Sequence, residues 1–286
     1  MTKPMAYVVC RWLDRSPFPQ YKKCVLDQRW LKSDADLYVA VHSSKPGLPI
    51  DEYARNAVGQ IIDLRGMTDR GKLTRLIGYT FAGFLQHHTR YEAIGLLDDD
   101  GYFSNPQKAV AHFLSAIRRG AGCVGPTHPY RVYFAHGGEK RMGRRFFPIN
   151  KAQWTTFGSQ VYSMRFIRKA REDWTYLLSR LNWRSDFQLF MLADAHGFPV
   201  YETYVPFRHG YGGQGSKEAK GRTIDQDWVL RRRKNAVHDF RLTMDFFRER
   251  YPEYLSEIER LFRADIRGTT MVARKWGLDP MMEKAK

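Results

Sequence analysis

Short apolar runs alternate with longer amphipathic stretches along the first part of the chain. Residues 7–10 and 37–41 have the β-branched and aromatic content of buried strands, and residues 22–31 between them have a helical pattern. A strand, a helix and a second strand in this order form a βαβ unit, whose two strands run parallel. The pattern therefore predicts a parallel sheet that begins near the N-terminus.

The same alternation continues through the middle of the sequence. We expect a helix over residues 74–87, a buried strand over 94–97 and a further helix over 105–118, with Pro106 in its first turn. The fold class predicted from this order is α/β, with a Rossmann-type, mostly parallel sheet flanked by helices.

The second half is predicted to close this fold. A loop over residues 155–160 is followed by a helix over 165–181, a helical segment over 187–192 introduced by Asp186, and an extended run over 199–205. His209 follows that run. Residues 239–274 are amphipathic and helical in pattern, which is typical of a helical extension that packs on the main body.

Three consecutive aspartates, Asp98, Asp99 and Asp100, follow the apolar run 94–97. Aspartates before a glycine are also ordinary turn formers, so a plain turn is the alternative. Adjacent carboxylates repel one another unless a cation or basic groups compensate, and Mg²⁺ and Mn²⁺ prefer oxygen ligands. Because a buried strand leads directly into the aspartates, we favour a metal site, with the outer pair Asp98 and Asp100 as its ligands.

Other polar residues follow the first two predicted strands. Arg11 comes after the first strand, and His42 and Ser43 come after the second. Open parallel sheets bind ligands outside the carboxyl ends of their strands, so Arg11 and Ser43 are candidates to line a nucleotide pocket together with Asp98 and Asp99. We interpret His42 as a solvent-exposed loop residue.

The charge of the chain limits its partners. The 286 residues carry a formal net charge of +17, which attracts polyanions and favours nucleic acid first and an anionic membrane surface second. No apolar run approaches the ~20 residues that span a bilayer, so we expect a soluble, cytoplasmic protein. The three cysteines form no CxxC pair, which argues against a zinc knuckle or a disulfide framework.

The order of these motifs resembles the GT-A-type nucleotide-sugar glycosyltransferases. Asp98 to Asp100 match the Asp-rich motif that holds the metal and the donor diphosphate, Asp186 matches a later acid, and His209 matches the late histidine that completes the metal site. The acidic pair often found at the later position is here Ser185 and Asp186, so only its second member is present. The resemblance implies a catalytic domain over residues 1–212, with 213–286 as a basic loop and helical extension. It also implies Mn²⁺ or Mg²⁺ and a nucleoside-diphosphate sugar as donor, with a UDP-sugar expected. For an inverting transfer Asp186 is the candidate base, a retaining transfer needs no such base, and both outcomes stay open.

Within that superfamily, the basic charge and the phrase Phe157, Gly158, Ser159 and Gln160 are most similar to the phage DNA-modifying branch, which includes the TET-associated glycosyltransferases. This resemblance implies that the acceptor is a hydroxymethylated pyrimidine in duplex DNA, and that the protein works in the host cytoplasm. Basic residues next to aromatics are candidates to contact its phosphates. They are Arg144, Arg145, Arg231, Arg232 and Arg233.

Three alternatives stay open at this point. A polysaccharide or lipopolysaccharide transferase has the same order of motifs. A metal-dependent nuclease or phosphotransferase also uses clustered carboxylates on a basic surface, although it gives no role to Asp186 and His209. The third alternative is a non-catalytic nucleic-acid-binding protein in which the aspartates form only a turn.

Overall fold

A computed structural model of the chain describes residues 3–14, 16–43, 45, 47–66, 73–87, 90–126, 146–148, 159–182, 186–203, 205, 207–209, 226–260 and 263. For residues 73, 146–148, 186, 208, 209 and 226–233 it describes the backbone alone.

A mixed sheet of eight of the ten described strands forms the centre of the fold. The ten strands are β1 Met5–Trp12, β2 Ala35–His42, β3 Gln60–Asp63, β4 Ala93–Asp98, β5 Gly101–Phe103, β6 Cys123–Pro126, β7 Phe146–Pro148, β8 Ser159–Ser163, β9 Val200–Thr203 and β10 Phe207–His209. The sheet has the order β3-β2-β1-β4-β8-β6-β9-β7, while β5 and β10 form a separate two-stranded ribbon. The pairings make β3, β2, β1, β4, β6 and β9 run in one direction, with β8 and β7 opposed. The predicted α/β class and mostly parallel sheet are confirmed.

Helices cover both faces of this sheet. They are α1 Pro19–Val25, α2 Glu52–Arg55, α3 Leu73–His87, α4 Pro106–Arg118, α5 Met164–Lys169, α6 Arg171–Arg180, α7 Asp186–Ala195 and α8 Gln226–Arg250. The start of α4 is as predicted: the Asn105 side chain accepts a hydrogen bond from the Lys108 amide at 3.0 Å, and Pro106 occupies the first turn.

Alternate residues of the central strands face two separate hydrophobic cores. In β1, Ala6, Val8 and Cys10 belong to the core shared with α3, α5, α6, α7 and α8, and Tyr7 and Val9 belong to the core shared with α1 and α4. A strand that is buried on both faces reads as a continuous apolar run, which is why β1, β2 and β4 were recognisable in the sequence.

The C-terminal helix packs on the first of these cores. Phe246 and Phe247 of α8 and the following Tyr254 and Ile258 are buried among side chains from α6 and α7. The predicted helical extension is therefore confirmed over its described part, but α8 begins at Gln226 rather than at residue 239. None of the helices in the described part of the chain is long and apolar enough to cross a membrane.

Two boundaries in the second half differ from the prediction. The helix expected over 165–181 is two helices that meet at Ala170, and the indole nitrogen of Trp174 donates to the carbonyl of Ile167 near that break at 2.8 Å. Ser159 and Gln160, expected in a loop, are the first residues of β8. Polar side chains are typical of loops, so nothing in the sequence indicated a buried strand here. The Ser159 hydroxyl can be buried because it forms a 2.6 Å hydrogen bond with the Tyr7 hydroxyl.

Candidate functional site

The three aspartates lie at the carboxyl edge of the parallel strands. Asp98 is the last residue of β4, Asp99 and Asp100 form the turn after it, and Gly101 begins β5. In the sheet β1 lies between β2 and β4, and all three strands run parallel, so their carboxyl ends share one edge. The segments that contain the aspartates, Arg11 and Ser43 were predicted to meet at this edge, and the structure brings them together there.

Asp99 is fully buried and is held by the end of β1. Its Oδ2 accepts from Arg11 Nη1 at 3.2 Å and from the Trp12 backbone amide at 3.4 Å, and the residue is 0% exposed. The Arg11 side chain is itself only 2% exposed. Separating the two side chains would leave an unpaired charge buried away from water, which is strongly destabilising, so the ion pair holds both side chains in place.

Arg11 has a second carboxylate partner that sequence reasoning missed. Arg11 Nε donates to Asp51 Oδ2 at 2.6 Å, and Asp51 caps α2 by accepting from the Ala54 amide at 2.8 Å. The Tyr21 ring of α1 lies 5.2 Å from the Arg11 guanidinium. The sequence signal for Asp51 was its N-cap position before a short helix, but nothing in the sequence linked it to Arg11, 40 residues earlier.

The β5–β10 ribbon brings His209 to the aspartates. The two strands are antiparallel, and His209 pairs directly with Gly101, the residue that follows Asp100. Directly opposed residues in such a pair have Cα atoms about 4.5 to 5.5 Å apart. The predicted metal ligands Asp98, Asp100 and His209 therefore converge at backbone level, although the His209 side chain is not described.

The groups at this edge that could hold a divalent cation are carboxylates. Among the described side chains, no group of three or more His, Cys, Asp or Glu is arranged to hold a metal ion. Asp98 and Asp100 offer two carboxylates, the ligand type that Mg²⁺ and Mn²⁺ prefer. Burial and then the negative charges of Asp98 and Asp99 raise the pKa of the nearby Cys10 thiol well above its ordinary value. The same negative charge favours a cation at this edge.

Polar and aromatic residues at the ends of β1 and β2 form the adjoining wall. The Ser43 hydroxyl donates to the Lys45 carbonyl at 2.8 Å, so it shapes the turn after β2, and Ser43 is 4% exposed. The interpretation of His42 as an exposed loop residue is wrong: it ends β2, is 1% exposed, and stacks on the Trp12 ring at 5.8 Å. Its register opposite Trp12 explains this burial.

Asp186 starts α7, as predicted. The helix is connected to β9 by only four residues, so its C-terminal end lies near the start of that strand. Ten helical residues span about 15 Å, so the Asp186 backbone lies at most about that distance from the C-terminal end of the helix. The Asp186 side chain is not described.

The structure does not describe the side chains of the five arginines that were predicted to contact nucleic acid. Arg231, Arg232 and Arg233 belong to α8, but only their backbone is described. Arg144 and Arg145 lie outside the described residues.

A second group of buried polar residues was missed. Glu202 and Thr203 end β9 and are 1% and 0% exposed, and Gln160 on β8 is 5% exposed. Glu202 pairs with Gly125 of β6, the strand between β9 and β8. Because Gly125 has no side chain, no side chain at this position of β6 lies between Glu202 and β8. An acid inside an otherwise apolar extended run was the available sequence signal.

No family model matches the sequence, and no curated protein matches it either. Among solved structures, similar folds include 4-diphosphocytidyl-2C-methyl-D-erythritol synthase from Anaerococcus prevotii, at 14% identity and a TM-score of 0.45, covering 72% of this chain and 90% of that one. S. aureus TarS in complex with UDP-GlcNAc is similar at 11% identity and 0.44, covering 85% and 71%. The Pyrobaculum calidifontis mannosyltransferase PcManGT, in complex with GDP-Man and Mn²⁺, is similar at 13% and 0.42, covering 99% and 85%.

Proposed function

We propose that this protein is a metal-dependent glycosyltransferase that moves a sugar from a nucleoside-diphosphate sugar to a hydroxyl acceptor. The observation that carries the proposal is the strand register that sets His209 opposite Gly101, directly after the aspartate turn. This register brings the backbone of His209 next to the turn that contains Asp100, from a segment more than 100 residues later in the chain, which supports a shared metal site for Asp98, Asp100 and His209. A nuclease or phosphotransferase gives this convergence of an aspartate turn with a late histidine no comparable role.

The residues of this edge have distinct roles in the proposed reaction. Asp98, Asp100 and His209 would hold Mn²⁺ or Mg²⁺, which when bound offsets the charge that develops on the leaving diphosphate. Arg11 and Asp99 form a buried ion pair that is proposed to support the donor side of the site, and Ser43 shapes the turn after β2. For an inverting transfer, Asp186 is the proposed base that accepts the proton of the acceptor hydroxyl.

For the acceptor, we propose a hydroxymethylated pyrimidine in duplex DNA. A net charge of +17 suits a polyanionic acceptor better than a small neutral one, and an unmodified pyrimidine has no aliphatic hydroxyl to accept a sugar. Arg144, Arg145, Arg231, Arg232 and Arg233 are the proposed phosphate contacts. Both DNA and nucleotide sugars are found in the cytoplasm, so we place the protein there, in the host cytoplasm if a phage encodes it.

A second candidate acceptor is a polysaccharide or lipopolysaccharide. It uses the same donor chemistry, and an anionic glycan is attracted by the same positive charge. The two candidates therefore share every residue at the aspartate turn and differ only in what approaches it.

Donor hydrolysis and transfer together test the proposal. The full-length protein is incubated with UDP-, GDP- and TDP-sugars and Mn²⁺, and release of nucleoside diphosphate is measured with the Asp100→Ala protein as control. Duplexes that differ only in cytosine, 5-hydroxymethylcytosine or 5-hydroxymethyluracil are then added, and sugar incorporation is measured by mass spectrometry.

We expect metal-dependent diphosphate release that Asp100→Ala abolishes, and a mass increase on a hydroxymethylated duplex alone. Release without incorporation into any duplex, together with transfer to a lipid-linked or free saccharide, would replace DNA with a glycan. No release with any donor would refute glycosyl transfer itself.

A further inference from the structure

We propose that Arg11 is a positioning residue that shapes the divalent-metal site through Asp99, without contacting the metal or the donor. This inference rests on the proposed function, because it concerns the same site. It gives Arg11 a more specific role than that of a pocket-lining cation. It also gives the middle aspartate a different task from its two neighbours.

The contacts of Arg11 assign it this role. Its Nε and Nη1 atoms are directed to different carboxylates, at 2.6 Å from Asp51 and 3.2 Å from Asp99, and Nη1 also donates to the Trp12 carbonyl at 2.5 Å. With 2% exposure, the side chain has almost no surface left for a ligand. A guanidinium is planar and presents its donors in a fixed fork, so these contacts fix the relative placement of Asp51 and Asp99.

The position of Asp99 between the proposed ligands transmits this restraint. Asp98 and Asp100 are each one peptide bond from Asp99, so fixing Asp99 fixes the backbone that joins the two ligands. The Trp12 amide adds a second donor to the same Asp99 oxygen at 3.4 Å. The end of β1 thus sets the spacing of two residues that lie at the end of β4.

The charge balance is consistent with a cation in front of this group. Arg11 with Asp51 and Asp99 carries a net charge of −1, and Asp98 and Asp100 add two further negative charges at the same edge. A metal ion would therefore still be attracted after Arg11 has compensated one carboxylate. The outer shell of a metal site orients its ligands in this way, and loss of such a partner typically reduces metal affinity about 10- to 100-fold.

Charge repulsion between Arg11 and the metal ion, and positioning of Asp99 by Arg11, predict opposite effects of removing Arg11. If Arg11 contributed only its positive charge, Arg11→Met would tighten Mn²⁺ binding, because a repulsive cation would be gone. If Arg11 positions Asp99, the same substitution weakens binding. The sign of the change therefore separates the two roles.

The experiment measures Mn²⁺ binding to the full-length protein without any donor, from the electron paramagnetic resonance signal of free Mn²⁺. The variants are Arg11→Met and Arg11→Lys, with Arg90→Met as the matched control. Arg90 pairs with Asp36, the second residue of β2, at 3.0 Å, so Arg90→Met breaks an arginine–aspartate pair at the opposite edge of the sheet. We expect Arg11→Met to weaken Mn²⁺ binding about 10- to 100-fold, Arg11→Lys to weaken it less, and Arg90→Met to change it less than about threefold.

Unchanged or tighter Mn²⁺ binding in both Arg11 variants would overturn the positioning role while leaving the metal site intact. The same large loss in Arg90→Met as in Arg11→Met would also overturn it, because the loss would then follow from breaking any such ion pair. If the parent protein binds no Mn²⁺, the metal site of the proposed function fails and this inference fails with it. Should Arg11→Met not fold, Arg11→Lys retains the charge and decides the question against Arg90→Met.

Discussion

At the scale of single residues, Asp186 is the side chain that we propose as the base of an inverting transfer. Asp186→Asn keeps the size of the side chain and removes its ability to accept a proton. If Asp186 is the base, kcat should fall about 10²- to 10⁴-fold while the KM for the donor changes little. Steady-state kinetics with saturating acceptor measure both constants.

The matched control is Glu172→Gln, which removes an exposed carboxylate from α6. Asn is also a good N-cap, so an Asp186 that only caps α7 would tolerate the substitution. Equal kcat in Asp186→Asn and in the parent would therefore refute the base assignment.

The sequence was sufficient to find residues whose chemistry is visible locally, but not their partners. Asp98 to Asp100 stood out because three carboxylates follow an apolar run, and the structure places them at the predicted strand end. The pairing of Arg11 with Asp99 joins positions 88 residues apart, which no local pattern encodes. His42 was misinterpreted for the same reason, since its burial depends on Trp12 in the neighbouring strand.

At the scale of elements, the β5–β10 ribbon depends on the absence of a side chain at Gly101. A Cβ atom there would lie 2.9 Å from Leu97 Cδ1 and 2.9 Å from Phe207 Cζ, closer than such atoms approach one another. Gly101→Ala should push β10 away from β5, reducing the free energy of unfolding by about 1 to 3 kcal/mol. It should also reduce metal-dependent turnover, because His209 lies opposite this position. Denaturant unfolding and diphosphate release measure the two effects.

Gly83→Ala is the matched control, since nothing lies within 4 Å of a Cβ atom at this position in α3. There the same substitution should stabilise the protein by about 0.5 to 1 kcal/mol, because alanine is the better helix former. A Gly101→Ala protein with the stability and turnover of the parent would show that the ribbon tolerates the extra methyl group.

Most elements of the first half could be predicted because both their faces are buried or their caps are local. The residues of β1, β2 and β4 read as apolar runs, and Asn105 with Pro106 marked the start of α4. The β8 strand was missed because Ser159 and Gln160 resemble loop residues. The Ser159 hydroxyl is hydrogen-bonded to Tyr7 in β1, and the Gln160 side chain accepts from Tyr162 within β8 itself. The break at Ala170 also escaped prediction, since nothing in the local pattern interrupts the helix.

A buried carboxylate of α6 links the end of the C-terminal helix to the body of the protein. Asp173 of α6 accepts hydrogen bonds from His196 Nε2 at 2.8 Å, from the Tyr251 hydroxyl at 2.6 Å and from Arg250. Its side chain is 5% exposed. We propose from these contacts that residues 226–260 unfold together with the preceding domain, although the sequence was divided at residue 213.

Asp173→Asn tests this coupling. Loss of the charge removes the ion pair with Arg250 and weakens the bond from Tyr251, so we expect the free energy of unfolding to fall by about 1 to 3 kcal/mol, in a single transition. Far-ultraviolet circular dichroism and tryptophan fluorescence during urea unfolding measure it. Two separate transitions, with helix signal lost first, would show that the C-terminal helix is an independent unit.

At the scale of the whole molecule, the excess of positive charge is the property that most limits the choice of acceptor. Its effect depends on which cations remain available for phosphates. Arg248, Arg260 and Arg263 are each paired within hydrogen-bonding distance with an acid on the same helical stretch, Asp245, Glu257 and Glu259 respectively. Such paired, exposed arginines contribute little net attraction to a polyanion. The Arg231 to Arg233 run is followed directly by Lys234, and within four residues of these arginines in sequence the one acidic residue is Asp227.

This difference predicts which arginines set the salt dependence of DNA binding. Each phosphate contact releases condensed counterions and contributes about 0.9 to the slope of log affinity against log salt concentration. Changing Arg231, Arg232 and Arg233 together to Gln should therefore lower that slope by about one to three units, whereas the same change at Arg248, Arg260 and Arg263 should leave it within about half a unit. Fluorescence anisotropy with a 5-hydroxymethylcytosine duplex between about 50 and 200 mM salt measures both triple variants against the parent. Equal slopes in all three proteins would remove Arg231 to Arg233 from the DNA interface. A parent protein whose DNA affinity does not depend on salt would contradict a phosphate-binding surface altogether and leave an acceptor other than DNA.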